Sequence, residues 1–402
     1  MIESKFNAGA MQGIVVLDLT RVLAGPYGTM IFADMGADVI KIEQPVTGDD
    51  TRLFGPYQNG ESVYYITNNR NKKGITLNLK SPKGKEVFKE MVKKADVVVE
   101  NYRPGTMEKL GLGYDVLKEI NPKIIYGSIS GFGHYGRYKE RPGYDIIAQA
   151  MSGLMSTTGW PSTGPTRTGT ALGDVLAGLW MAIGVLGALQ GRNVTGEGQK
   201  VDIALVDSAV SAMGNINMIY LAENRLPERI GNRYEAAYPY DSFDCSDIAC
   251  VIGAGNNKLW KTLCGLMGRE DLAEMDKYRN SPDRTKHYQE LKPIVEQWTK
   301  TKTAADVVET CLAAGVPAAP IYDVSQVSSD PHIAKDREMF IEQDHPKAGK
   351  VIVTGSPLKL SGTPVTMRTV APSLGQDNVE VFTSLLGMSE QQISELKEAG
   401  VI

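Results

Sequence analysis

Short apolar runs alternate with longer amphipathic segments through the first third of the chain. The apolar runs cover residues 13–19, 37–43, 95–100 and 123–129, and valine and isoleucine dominate them. Runs of this length and composition are typical of buried strands, and an alternating pattern predicts a further strand at 75–79. Helices are predicted at 24–35, 81–94 and 107–120. This alternation predicts an α/β fold in which helices cover both faces of a parallel sheet.

The longest apolar stretch, residues 175–189, directly follows Asp174 and predicts a buried helix. It is shorter than the roughly 20 residues that a membrane span needs. Three glycines also interrupt it, at Gly178, Gly184 and Gly187. Residues 1–11 are mixed polar and lack the apolar core of a signal peptide. We therefore expect a cytoplasmic protein without membrane contacts.

Composition and charge narrow the classes of partner. The chain has 402 residues, is 42% hydrophobic and carries a net charge of -4, so no overall positive field would attract nucleic acid. Its four cysteines form no CxxC pair and it has only four histidines. We therefore expect free buried thiols and no metal site.

A literal GxGxxG match at residues 131–136 follows the strand predicted at 123–129. In a dinucleotide site the last glycine lies in a helix that packs on the sheet. Here charged residues and then Pro142 follow, and this run does not continue such a helix. The segment is predicted to be a loop rather than a nicotinamide or flavin site.

Basic and polar side chains cluster just after the predicted strands. They are Arg21 with Val22, the run 69–73, Lys80, the run 101–105 and Lys109. Open parallel sheets bind ligands at the carboxyl ends of their strands, where lysine and arginine suit phosphates. The placement predicts an anionic, nucleotide-like ligand, and Tyr102 could stack on its base.

Asp174 allows two interpretations from the residues alone. As an N-cap of the following helix it would accept a backbone N–H bond and contribute about 1 kcal/mol. In a pocket that holds an anionic ligand, the same carboxylate would be a nucleophile. Tyr144 and Asp145 precede a second helical segment that is rich in small residues, and they could lie nearby.

Several ordered motifs resemble the class III CoA-transferase (CaiB/BaiF) family, which includes formyl-CoA:oxalate and carnitine CoA-transferases. The motifs are residues 16–26, 36–43, 95–105, 171–174, 196–199, 315–318 and 361–364. The resemblance implies a Rossmann-like large domain and a smaller α+β domain in an interlocked homodimer. It places a CoA-binding large domain in residues 1–230, a small domain in 231–330 and a return to the large domain in 331–402.

The resemblance also implies a role for particular residues. Asp174 would be the catalytic aspartate, through an acyl anhydride and an aspartyl-CoA thioester. CoA and acyl-CoA would be substrates rather than permanent cofactors, together with a carboxylic acid. The implied CoA contacts are Arg21, Val22, Ala24, Leu77, Lys80, Asn101, Tyr102, Arg103 and Lys109. The implied acyl pocket contains Leu23, Tyr64, Tyr144 and Asp145.

Departures from the oxalate-using branch of the family affect the expected substrate. Leu23 stands where that branch has glutamine, Gln44 replaces a basic residue, and the shorter segment 234–241 replaces a long glycine-rich loop. We therefore expect short or medium aliphatic acids rather than oxalate.

Two other functions remain open at this point. An α-methylacyl-CoA racemase would pair the aspartate with a histidine, but the matching position is Tyr144 and His134 does not fit the register. A non-catalytic acyl-CoA-binding protein would not need the intact aspartate.

Overall fold

The computed structural model describes residues 9–402, and its largest element is a six-stranded parallel sheet. The strands are β1 (Val15–Asp18), β2 (Asp38–Glu43), β3 (Tyr57–Gln58), β4 (Glu61–Ser62), β5 (Lys73–Thr76), β6 (Val97–Glu100), β7 (Ile125–Ser130), β8 (Lys200–Ala204), β9 (Tyr240–Phe243), β10 (Cys250–Gly253), β11 (Ala318–Pro320), β12 (Phe340–His345) and β13 (Gly349–Thr354).

The helices within the same range are α1 (Ala24–Asp34), α2 (Val63–Asn69), α3 (Pro82–Val92), α4 (Thr106–Leu110), α5 (Tyr114–Ile120), α6 (Asp145–Met151), α7 (Leu154–Thr157), α8 (Leu172–Thr195), α9 (Leu205–Ala212), α10 (Gly214–Glu223), α11 (Asn257–Leu266), α12 (Glu270–Glu274), α13 (Ser281–Lys286), α14 (Tyr288–Thr299), α15 (Ala304–Ala313), α16 (Val324–Ser329), α17 (Asn378–Leu386) and α18 (Glu390–Glu398). Short 3-10 turns lie at Asp50–Leu53 and Asp276–Tyr278, and a π turn lies at Pro331–Asp336.

The main sheet has the strand order β5-β2-β1-β6-β7-β8, and every pairing in it is parallel. Successive side chains of a strand point to opposite faces. In β1, Leu17 joins the core beneath α3, α5, α17 and α18, whereas Val16 joins the core beneath α1 and α8. The fold class predicted from the alternating pattern, with both sheet faces covered, is confirmed.

Contacts divide the chain into two compact units. The first comprises residues up to Met155, Arg167–Arg225 and Pro331–Ile402, and the second comprises Ser156–Thr166 and Leu226–Asp330. The second unit contains the antiparallel sheet β11-β10-β9 and its own core, in which Trp260 and Leu291 are fully buried. The predicted domain boundaries at residues 230 and 330 stay predictions. The chain passes from one compact unit to the other at Leu226 and at Pro331, close to both positions.

Two predicted helices differ from the observed ones. The helix predicted at 107–120 is two short helices, because Gly111 ends α4 with a left-handed φ of 70°. The helix predicted at 175–189 extends in both directions, from Leu172 to Thr195. The GxGxxG segment, by contrast, is a loop as predicted, and the next helix begins only at Asp145.

The helix α8 is long and apolar enough to cross a membrane by length and composition, and no other helix in residues 9–402 meets that test. In the structure it packs on α1 and on the sheet, with Met181 and Val185 fully buried. A core helix of a soluble protein has the same composition, so the absence of membrane contacts stays a prediction.

Candidate active site

A cleft of about 890 Å³ opens at the carboxyl ends of the parallel strands. Its walls are the segments after β1, β6 and β7, the 3-10 turn after β2, the loop before α6, and the starts of α8 and α9. The lining residues are Arg21, Val22, Leu23, Ala24, Asp50, Leu53, Phe54, Asn101, Tyr102, Arg103, Pro104, Thr106, Ile129, Ser130, Gly131, Arg141, Pro142, Gly143, Tyr144, Asp174 and Leu205. This edge is where open parallel sheets bind ligands.

The helices α1 and α8 cross closely beside the cleft. A Cβ atom on Gly178 would lie only 2.6 Å from the carbonyl oxygen of Ala24, so a larger residue would push the helices apart. The crossing places the first turn of α8, with Asp174, beside the start of α1, with Leu23. Both ends therefore line the same cleft.

Asp174 is the third residue of α8 and is not its N-cap. The N-cap is Ala171, which makes no side-chain hydrogen bond to the helix. The Gly173 amide instead donates to Asp145 Oδ1 at 2.8 Å. The N-cap interpretation is therefore wrong, because a carboxylate from α6 takes that role and the helix begins earlier than the apolar pattern indicates.

The carboxylate of Asp174 is half-buried and has no hydrogen-bond partner in the described part of the chain. Burial, and then the nearby Asp145 carboxylate, raise the pKa of Asp174 to about 7. Its ionised form is therefore more basic than an ordinary aspartate and is not neutralised by a cation. A perturbed carboxylate in a cleft is a candidate for a functional group.

Gln149 connects the loop before α8 to Asp145, which bonds the first turn of α8. Its side chain is buried, its Nε2 donates to Asp145 Oδ2 at 2.7 Å, and its Oε1 accepts from the Thr168 amide at 2.9 Å. The loop before α8 and the carboxylate that bonds its first turn are thus held by one amide side chain. The sequence shows no signal for this link, because Gln149 and Thr168 are 19 positions apart and belong to no common motif.

The turn between β1 and α1 also lines the cleft. Val22 has a φ of 69°, in the left-handed region that residues with a Cβ seldom adopt. The Asn101 side chain holds the preceding residue, since it accepts from the Arg21 amide at 2.9 Å and donates to the Arg21 carbonyl at 2.7 Å. A strained backbone in a cleft wall is typical of a functional site.

Most of the predicted site residues line this one cleft: Arg21, Val22, Leu23, Ala24, Asn101, Tyr102, Arg103, Tyr144 and Asp174. Asp145 lies directly behind it, bonded to α8. Tyr64 packs edge-on against Phe54 of the cleft wall, and burial and the Asp174 carboxylate raise its pKa. The structure therefore brings together residues from distant parts of the sequence.

Three predicted CoA contacts lie outside the cleft lining. The side chain of Leu77 is buried in the apolar core of the sheet, whereas Lys80 and Lys109 are exposed on the surface. Their predicted role stays a prediction. The sequence did not indicate three further residues that line the cleft: Leu53 and Phe54 at the 3-10 turn, and Arg141 in the loop before α6.

His134 does not line the cleft. Its Nδ1 lies 2.9 Å from Lys200 Nζ and its Nε2 lies 3.6 Å from Glu100 Oε1. Burial, followed by the Lys200 ammonium, lowers the pKa of His134, while burial raises the pKa of Glu100 to about 8. No histidine lines the cleft beside Asp174, so the site lacks the Asp–His pair that a racemase would use.

No group of three or more His, Cys, Asp or Glu side chains suited to a metal ion occurs in residues 9–402. The covered parallel sheet and the cleft at its strand ends define a ligand-binding α/β protein. The family model described as CoA-transferase family III matches residues 11–378. The chain therefore belongs to CoA-transferase family III.

Relatives and a solved structure agree with this assignment. An acetyl-CoA:oxalate CoA-transferase of Acetobacter aceti is 42% identical over 355 residues, which cover 88% of this chain and 90% of the relative. A succinyl-CoA:glutarate CoA-transferase of Homo sapiens is 37% identical over 397 residues, which cover 98% and 90%. A crystal structure of a CaiB/BaiF family protein from Brucella suis has a TM-score of 0.84 and 36% identity, covering 94% of this chain and all of that one.

These findings make the protein an enzyme, a CoA-transferase that acts on carboxylic acids and uses CoA thioesters as substrates. The prediction of the family and of the enzyme class is confirmed.

Proposed function

We propose that the enzyme moves CoA from an acyl-CoA donor to a carboxylic acid through covalent intermediates on Asp174. The observation that carries this proposal is the unpaired, half-buried Asp174 carboxylate in the wall of a cleft large enough for an extended ligand. A carboxylate without a cation or hydrogen-bond partner keeps its oxygens available for attack.

The first half of the reaction loads the enzyme. An Asp174 oxygen attacks the donor thioester carbonyl, the carbon–sulfur bond breaks, and an acyl–aspartyl anhydride and CoA thiolate form. The thiolate then attacks the aspartyl carbonyl of the anhydride. This step gives an aspartyl-CoA thioester and releases the donor acid, which leaves with one oxygen from Asp174.

The second half reverses these steps with the acceptor acid. Its carboxylate attacks the aspartyl-CoA thioester, and a new anhydride and CoA thiolate form. The thiolate then attacks the acceptor's carbonyl carbon, which gives the new acyl-CoA and restores Asp174 with one oxygen from the acceptor. No water enters, so each exchange conserves the energy of the thioester bond.

The remaining cleft residues would bind the two substrates. Arg21 and Arg103 line the cleft and suit the phosphates of CoA, together with the predicted surface contacts Lys80 and Lys109. Asn101 and Tyr102 would lie against the CoA chain or base. Leu77 would contribute through its backbone.

Leu23, Tyr64 and Tyr144 would enclose the acyl group, with Asp145 behind it. The guanidinium of Arg141 lies over the Tyr138 ring, 3.6 Å from its centroid, and also lines the cleft. A cation in this wall favours an acceptor with a second carboxylate, and the two relatives described above are named for oxalate and glutarate, both dicarboxylic acids. We therefore propose short dicarboxylic acids other than oxalate as acceptors. The sequence-based expectation against oxalate stays a prediction.

Oxygen transfer tests the covalent mechanism directly. A single turnover with an ¹⁸O-labelled acceptor carboxylate should place one heavy oxygen in Asp174. Trypsin releases residues 168–192, in which Asp174 is the only acidic residue, so mass spectrometry of this peptide is unambiguous. The peptide that contains Asp145 is a separate product and serves as the internal control.

Label in both peptides, or in neither while the acceptor becomes a CoA ester, would contradict an Asp174 intermediate. The acceptor is found first by a screen of mono- and dicarboxylic acids, oxalate included, against acetyl- and succinyl-CoA. Activity with monocarboxylic acids alone would refute the dicarboxylate proposal and leave the covalent mechanism untouched.

We also propose that two copies form the homodimer that the resemblance implies. Exposed apolar side chains on α6 and α8 support a covered surface: Ile146, Met151, Leu179, Trp180 and Ile183 are each between 38% and 57% exposed. Sedimentation of the wild type and of Ile183→Glu tests this, with a monomeric wild type as the contradicting outcome. The cytoplasmic location and the absence of nucleic-acid partners stay predictions.

A further inference from the structure

The turn between β1 and α1 is held by side chains rather than by backbone pairing. Lys41 Nζ donates to the Thr20 carbonyl at 2.9 Å, and the Thr20 amide donates to Asp18 Oδ1 at 2.9 Å. Asn101 bonds both the amide and the carbonyl of the next residue, Arg21. The Val22 amide would otherwise have no acceptor in the turn.

Asp49 supplies that acceptor. Its Oδ1 accepts from the Val22 amide at 3.1 Å, and its Oδ2 accepts from Lys41 Nζ at 2.9 Å. The Lys41 and Asp49 side chains are 0% and 1% exposed, so the ion pair is shielded from water and salt. The pair therefore joins a buried charge to the backbone of the cleft wall.

This attachment matters because Val22 is a poor residue for its conformation. A β-branched side chain disfavours a φ of 69°, whereas glycine adopts it freely. Without an external hold, the turn would relax toward the extended region. Its neighbours Arg21 and Leu23 would then leave the positions from which they line the cleft.

We propose that Asp49, held by Lys41 and assisted by Asn101, is a positioning residue that keeps the Val22 turn in its left-handed conformation for CoA binding. The inference rests on the proposed binding of CoA in this cleft. Asp49 touches neither the cleft nor the substrates itself. It acts by keeping the binding-competent form of the turn fully populated.

A double-mutant cycle between Asp49→Ala and Val22→Gly tests the proposal, with CoA alone as the titrated ligand in calorimetry. Alanine is used because the side-chain oxygen of asparagine would still accept from the Val22 amide. If the unheld turn is competent about one-tenth of the time, Asp49→Ala weakens CoA binding about 10-fold in the wild-type background. In the Val22→Gly background the loss should be no more than about 3-fold, because glycine has no strain to be held against. Val22→Gly alone should weaken binding modestly, since glycine loosens the turn.

Equal losses in both backgrounds would overturn the proposal, even if Asp49→Ala lowers the melting temperature. A purely structural role predicts that equality, because destabilisation of the fold does not depend on the residue at position 22. A wild-type protein that fails to bind CoA would refute the proposed function itself, and is thus distinguishable.

A variant that removes both charges of the pair, Lys41→Met with Asp49→Ala, keeps the test decisive if Asp49→Ala does not fold. It leaves neither charge of the pair buried without its partner. The same reduced loss in the Val22→Gly background is expected for this variant. An unreduced loss would contradict the held-turn model.

Discussion

Two aspartates beside the same cleft have opposite environments. Asp49 lies under one wall, paired with Lys41 and bonded to the amide and hydroxyl of Thr51. Burial alone would raise the pKa of Asp49, but the Lys41 ammonium and these hydrogen bonds outweigh it and lower the pKa to about 2. Asp174 lines the cleft with no such partner, and burial raises its pKa to about 7.

The difference shows that burial does not by itself decide what a carboxylate does. A buried carboxylate with a cation and several donors is locked in the ionised form and serves to hold backbone. A desolvated carboxylate without partners lowers the stability of the fold, but its oxygens remain free to react. In this chain the first type supports the cleft and the second type is the candidate nucleophile.

The largest expected difference between the two aspartates is in catalytic activity. Asp174→Asn should lower CoA transfer by at least about 10⁴-fold, because the amide cannot form the anhydride. CoA binding should change by less than about 3-fold. Steady-state rates and calorimetry measure the two effects.

Asp207→Asn is the matched control for that variant. Asp207 is also the third residue of its helix, α9, and burial raises its pKa, but it is exposed and does not line the cleft. It should keep transfer within about 3-fold of wild type. Similar losses for both variants would mean that the helix position, rather than the cleft, explains the effect.

The next largest difference between Asp49 and Asp174 should be in their contributions to the free energy of unfolding. Asp49→Asn leaves the buried Lys41 ammonium without its directly paired carboxylate and should lower the free energy of unfolding by about 3 kcal/mol at pH 7. The half-exposed neighbour Asp50, which pairs with Arg21 at 3.3 Å, is the control, and Asp50→Asn should cost less than about 0.5 kcal/mol. Urea unfolding measures both, and equal costs would contradict a special role for the buried pair.

The same measurement on Asp174→Asn should give the opposite sign. A folded-state pKa raised from 3.8 to about 7 means that stability falls as the pH rises through this window, because the unfolded chain releases the proton first. Removing the charge should therefore raise the free energy of unfolding by about 1–3 kcal/mol at pH 8. At pH 3 the variant and the wild type should be equally stable, and a gain that is the same at both pH values would contradict the raised pKa.

The smallest expected effect concerns the pH dependence of loading. Release of the donor acid in a single turnover without acceptor should increase with pH around a midpoint near 7, since only ionised Asp174 attacks. Asp145→Asn removes the second cause of the raised pKa while its side-chain oxygen can still accept from the Gly173 amide. Its midpoint should fall by up to about one pH unit. A rapid-quench pH series checks this, and a midpoint that moves upward would contradict the repulsion between the two carboxylates.

Much of the fold was predictable because the strands of the main sheet are covered on both faces. Such strands are continuous apolar runs, as at residues 97–99, and their spacing predicts the parallel sheet. The site was partly predictable for a related reason: polar residues directly after strands, such as Asn101, must lie at one edge of that sheet. Helix boundaries were less predictable. Gly111, in the left-handed conformation, ends α4 inside the segment predicted as one helix and so divides that segment into two helices.

The sequence alone determined the parallel sheet, the family and the choice of Asp174 as the candidate catalytic residue. These features depend on local periodicity and on motifs that lie along the chain. The tertiary structure decided that Asp174 is unpaired, that Asp145 bonds its helix, and that Asp49 holds the Val22 turn. The contacts of Asp49 and of Asp145 join residues that are 27 and 28 positions apart in the sequence. Whether a carboxylate is neutralised, and so whether it supports the fold or remains reactive, depends on the partners that folding brings to it.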